Sequence, residues 1–168
     1  MKCVPAGENT ELVGSYVGEK SGCGFEPGMY QALAVINESG DFCAGVVVSD
    51  FRGHDCQMSC AAETSVAWRG NVLNTIFEYV FNQLGCARCT AITKKSNRRT
   101  REFLERIGFQ LEGRLRLGFD GTKDALIYGL LASECPYIVH NDGDEQFDDR
   151  AKQIEDEATI NDVITAVH

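Results

Sequence analysis

Apolar positions along the chain change their spacing several times, and each change marks an element. Leu12, Val13, Tyr16 and Val17 recur at helical intervals behind Asn9 and Thr10, either of which can cap, so residues 9–20 are predicted to form a short helix. Gly22, Gly24 and Gly28 with Pro27 make a loop. Residues 29–36 then read as a strand, 37–41 as a hairpin turn around Ser39 and Gly40, and 42–51 as a second strand. Arg52, Gly53, His54 and Asp55 form another turn before a third strand at 56–63. The longest periodic segment follows: Val72, Leu73, Ile76, Phe77, Val80, Phe81 and Leu84 fall on one stripe closed by Gly85, as expected of a helix packed on a sheet.

Residues 86–109 organise the rest. A short strand at 89–93 ends in a run of Lys, Ser and Asn, and a helix starts with Asn97 at its N-cap. Phe103, Leu104 and Ile107 line one face of that helix, and Gly108 supplies the left-handed residue that ends it. The result is a strand–helix–strand unit of an α/β domain, with its polar crossover at the strand's C-terminal end, where α/β folds place ligands. Residues 109–119 and 124–131 are predicted strands joined around Asp120 and Gly121, and 134–139 a closing turn.

Composition changes the picture at the C-terminus. The net charge is −9, yet residues 141–168 hold nine acids against Arg150 and Lys152, leaving 16 acids and 14 bases before them. We read residues 1–139 as one domain and 140–168 as an acidic extension, in which Ile160, Val163, Ile164 and Val167 have the spacing of a weak helix. The acidity does not suit nucleic acid or an anionic membrane as partner. No apolar run reaches bilayer length and no secretory signal is visible, so a cytoplasmic protein is expected, with its eight cysteines as free thiols. Cys86 and Cys89, or Cys56 and Cys60, have spacings that would also serve zinc or redox chemistry; the strand pattern around Cys89 favours buried thiols, and no metal is expected.

Asn97, Thr100, Leu104 and the pair Gly108-Phe109, followed by Glu112-Gly113, carry a resemblance. Their spacing resembles the fourth-motif helix of GNAT-type N-acetyltransferases, most of all the branch that includes ribosomal-protein N-terminal acetyltransferases, with phage-encoded members most alike. The resemblance spans residues 9–138 and implies a mixed, mostly antiparallel sheet, splayed near its middle, with helices on both faces. It implies acetyl-CoA as cosubstrate, bound between the third strand and residues 89–93. It also implies acetyl transfer by direct attack of a primary amine, on a small molecule or a protein, in a monomer or homodimer. For a phage-encoded member the place of action would be the cytoplasm of a bacterial host.

The resemblance also points to residues. The family's pyrophosphate loop falls on 64–71 in degraded form, with Thr64, Ala67 and Arg69 at the motif positions and Gly70 one residue late; Ala62, Ala67, Trp68, Arg69, Gly70 and Asn71 are the coenzyme candidates there. Helix starts favour phosphate and Arg69 could add a charged bond. Asn97, Arg98 and Thr100 are the coenzyme candidates on the second helix, Asn97 serving as a cap as well. Thr100 is the candidate acid for the leaving thiolate and Glu63 the candidate base; Leu104 replaces the tyrosine acid of another branch. Lys94, Lys95, Arg98, Arg99 and Arg101 form a basic cluster that could meet phosphates or water. Glu112 is either structural or substrate-facing, and Tyr128 core or lining. The rival readings are a GNAT-fold module without turnover and a thiol or zinc protein built on Cys86 and Cys89.

Overall fold

The computed structural model describes residues 1–140, so the predicted acidic extension and its weak helix lie outside the described residues. Strand β1 (Lys2–Pro5) leads through a short turn into helix α1 (Thr10–Ser21). Three strands follow as an antiparallel meander: β2 (Gln31–Ile36), β3 (Phe42–Ser49) and β4 (Asp55–Ala62). A 3₁₀ turn (Ser65–Trp68) precedes α2 (Val72–Phe77), which continues as a π-helical segment (Glu78–Gln83). Then come β5 (Arg88–Lys94), α3 (Arg98–Arg106), β6 (Gln110–Leu115) and β7 (Ala125–Leu131). The sheet order is β1-β2-β3-β4-β5-β7-β6, antiparallel throughout except for β4 beside β5.

Alternation along the strands divides the core in two. Ala32, Val47 and Ala61 point to one face, where Val13 and Val17 of α1 cover them. Leu33, Val35, Val46, Val48, Met58, Cys89 and Ala91 point to the other, packed against Phe77 and Val80 of the α2 segment and Phe103 and Leu104 of α3. Burying a side chain the size of Phe77 or Leu104 contributes about 1.5–3 kcal/mol each. Close approach decides α1: a Cβ on Gly45 of β3 would lie 2.8 Å from both Val13 and Val17. The end of α3 is fixed by Gly108, whose φ of 101° no other residue adopts readily.

Several predicted bounds shift. Strand β1 was absent from the periodicity because four residues ending in Pro5 carry too little pattern; its pairing with β2 is tertiary. Residues 29–30 and 50–51 fall outside the strands, β4 runs from Asp55 to Ala62, and β6 stops at Leu115, where Leu117 enters a left-handed turn at φ 54°. The long predicted helix is present, but Leu84 N–H bonds to the Tyr79 carbonyl at 2.9 Å, a wider turn than an α-helix makes. Ahead of the predicted closing turn at 134–139, a 3₁₀ turn occupies Ala132–Glu134, so only Glu134 is shared.

Candidate active site

The strands that flank the middle of the sheet pair only briefly. β4 and β5 are in register at Asp55 with Arg88, Cys56 with Cys89 and Gln57 with Thr90, and nowhere beyond. β4 nevertheless stays on β3 as far as Ala62, and β5 stays on β7 as far as Lys94. Each strand keeps its outer partner while the two inner edges part, leaving a wedge open towards their C-terminal ends. Such edges offer backbone donors and acceptors to an extended ligand. One lip of the wedge continues into residues 65–68 and α2, the other into α3.

On the β5 lip, Asn97 caps α3, its Oδ1 accepting the Thr100 N–H at 3.2 Å. Thr100 is buried on the inward face of α3, beside Phe103 and Leu104. The basic cluster divides. Arg98 is 84% exposed in its side chain and bonds Glu102 across one helical turn at 2.6 Å, and Arg101 donates to the Lys95 carbonyl at 3.3 Å. Lys94 lies over the Phe119 ring at 5.1 Å, and the ammonium of neighbouring Lys123 lowers its pKa.

On the β4 lip, Ala62 and Ala67 are fully buried and leave the lip narrow. Trp68 is buried too, its ring 6.0 Å from that of Phe103 on the opposite lip. Arg69 and Gly70 turn the other way: with Met1, Glu38, Ser39 and Val66 they line a depression of about 390 Å³ beside the β2–β3 turn. Asn71 is exposed ahead of α2. Glu63 follows β4 but is engaged by α1: its carboxylate accepts the Tyr16 hydroxyl at 3.1 Å and pairs with Lys20 at 3.2 Å. Bonds from Lys20 and then Tyr16 hold its pKa below the usual carboxylate value, which makes it a weak base.

On the α1 face two cavities adjoin the closed end of the wedge. One, about 490 Å³, is lined by Gln57 and Thr90 of the last register pair and by Asp55, Arg88 and Glu112; the other, about 530 Å³, by Glu26, Met29 and Phe51. Asp50, Arg52 and Gln57 belong to both. Arg88 fixes the floor with two bonds to the Glu112 carboxylate, Nη1 at 2.7 Å and Nη2 closer still, while its Nε lies 3.7 Å from Asp55. Thr90 closes the network by donating to Asp55 Oδ1 at 2.9 Å. Asp50, in a left-handed conformation at φ 51°, accepts the Ser49 hydroxyl at 3.1 Å. Sequence reasoning missed Asp50, Arg52, Asp55 and Arg88 as site residues; Arg88 is the first residue of β5, one position before the predicted strand, and Asp50, Arg52 and Asp55 belong to the turn that ends β3 and opens β4. Glu63 stands six residues past Gln57, roughly 20 Å along an extended strand, so the structure does not bring it to these cavities.

All eight cysteines are free. Cys56, Cys86 and Cys89 gather under the closed end of the wedge; burial pushes the Cys86 thiol up to about 12, and the bond to Cys56, then burial, raises Cys89. Among the described residues no group of His, Cys, Asp and Glu is arranged to hold a metal ion. Tyr128 is core, donating to Glu105 at 3.0 Å. Among the described residues, no helix is long and apolar enough to cross a membrane.

The sequence matches no protein-family model and no curated protein. Solved structures do match. A GCN5-related N-acetyltransferase from Brucella melitensis superposes with a TM-score of 0.55 at 24% identity, over 64% of this chain and 53% of that one. The fold is that of the GNAT N-acetyltransferases. Spermidine N-acetyltransferase SpeG from Vibrio cholerae gives a TM-score of 0.64 at 11% identity, over 82% of this chain and 98% of its own. RimJ from Mycobacterium smegmatis, solved with CoA-disulfide, gives 0.52 at 20%, over 64% and 55%. The chain thus spans about half the length of the Brucella and Mycobacterium proteins. The GNAT fold accounts for the mixed sheet and its central split.

Proposed function

We propose that this protein is an acetyl-CoA-dependent N-acetyltransferase acting on a primary amine by direct attack. The observation that carries the reading is the wedge between β4 and β5, with a helix start on each lip and a cavity at its closed end. Acetyl-CoA supplies the acetyl group as a thioester. Asn97 and Thr100 stand on the α3 lip beside the arm, and Asn71 and Arg98 stand at the two helix starts where the phosphates would leave the wedge. Thr100 Oγ1 holds the proton for the leaving thiolate. Asp50 takes the proton of the incoming amine in place of Glu63, which Lys20 and Tyr16 already occupy.

The cavities favour a cationic acceptor. Glu26, Asp50, Asp55 and Glu112 face them against Arg52 and Arg88, and Arg88 is committed to Glu112 and Asp55. Spermidine, the acceptor in the name of the Vibrio neighbour, has that character, as does a lysine side chain or a protein N-terminus. The spacing of Asn97, Thr100, Gly108 and Glu112 supports the branch of ribosomal-protein N-terminal acetyltransferases and its phage-encoded members, acting in the cytoplasm.

The outward turn of Arg69 favours a second reading, a binding module without turnover. Calorimetry with acetyl-CoA, followed by a screen of amines for coenzyme A release, separates the two. Binding with amine-dependent release is expected; binding without release by any amine supports the module, and no heat at millimolar acetyl-CoA removes both.

A further inference from the structure

The indole of Trp68 holds an unusual position. The segment that carries it continues from β4, whereas Phe103, whose ring lies tilted against it at 6.0 Å and 37°, belongs to the helix that continues from β5. The pair therefore spans the two lips where the strands have separated. Trp68 is only 7% exposed and sits in the larger apolar core, yet its Nε1–H is buried without a hydrogen-bond partner among the described residues. Buried indole N–H groups are ordinarily paired, since an unmet donor in an apolar setting is costly.

We infer that Trp68 Nε1–H is a donor reserved for a neutral carbonyl of the acyl-CoA arm, with the indole face packing on the arm's methylene groups. This rests on the functional reading above and deepens it by naming the group that holds the arm. A phosphate is excluded as its partner, because an anion among these side chains would lose far more hydration than one N–H restores. An amide carbonyl fits: it is neutral, a good acceptor, and carried on a chain thin enough to pass between the lips. Trp68 is then a coenzyme-positioning residue, and its contact with Phe103 couples arm binding to the spacing of the lips.

The chain has one tryptophan, so its emission reports this residue alone. Full-length protein and its Trp68→Phe variant are titrated with acetyl-CoA by calorimetry and thermal melting, and the wild type by fluorescence as well. Trp68→Phe keeps the ring contact and removes the donor. The free variant is expected to melt at or above the wild type, to bind acetyl-CoA about 2- to 13-fold more weakly, as loss of one neutral hydrogen bond implies, and to gain less melting temperature from it. Wild-type emission should change saturably with acetyl-CoA and stay constant with adenosine 3′,5′-bisphosphate, which lacks the arm. Equal affinity of the two proteins, or emission unmoved by bound acetyl-CoA, overturns the inference and leaves the functional reading standing. No heat from the wild type removes both together.

Discussion

Asp50 and Glu63 separate at the level of single residues. Both are carboxylates on the α1 face, but Glu63 ties α1 to the end of β4 while Asp50 opens onto both cavities. Asp50→Asn is expected to lower kcat by 10²-fold or more, the range for loss of a proton acceptor, and Glu63→Gln to leave kcat within about twofold; steady-state kinetics with the reverse result would return the base role to Glu63. Asn97→Ala removes the bond from Thr100 N–H, costing about 1 kcal/mol of stability, and is expected to weaken acetyl-CoA binding in calorimetry. Thr100→Ala should reduce kcat more than affinity; an unchanged kcat would end its assignment as acid. Asn97 was legible in the sequence because capping is local chemistry. The Arg88 network was not, because Arg88 and Glu112, 24 residues apart, meet only after β7 has inserted between β5 and β6.

Strands and helices were legible wherever one face is buried, since periods of 2.0 and 3.6 then write themselves into the apolar positions. Hence α1, α2, β2 to β5, α3 and β7 were visible, whereas β1 and the wider, π-helical turns after α2 depend on what they pack against. Packing of α1 is tested at Gly45: Gly45→Ala would press a methyl group into Val13 and Val17, and a cost of about 1–3 kcal/mol is expected, read as a lower melting temperature. The Arg88–Glu112 tie that joins β5 to β6 across β7 is tested by pH. The Arg88 guanidinium lowers the Glu112 pKa, so this contribution is present above the ordinary carboxylate value, roughly 4.3, and disappears as pH falls through the lower folded value. Wild type should therefore be the more stable above about pH 5, with Arg88→Met approaching it at about pH 3. Parallel melting curves across that range would show that the pair contributes nothing.

At the scale of the molecule, both core clusters and all seven strands close within the described residues. A chain ended after His140 is accordingly expected to melt within a few degrees of the full-length protein and to bind acetyl-CoA equally. A large loss of melting temperature would show that residues 141–168 contribute to the fold. The GNAT resemblance was legible from one helix because its spacing is local: the Asn97 cap, the buried Thr100 and Leu104 and the left-handed Gly108 stand at fixed intervals. The two cavities were not, because their walls come from five strands, β3 to β7, and from the loops before β2 and after β3, which are distant in the chain. The three-pair seam between β4 and β5 has a kinetic consequence as well. β1 to β4 assemble from near neighbours in the chain, but this seam must await the closure of a long loop and returns few hydrogen bonds for that entropy. It should form late in folding and open early under stress, so that heat would part β4 from β5 before it melts the hydrophobic interior.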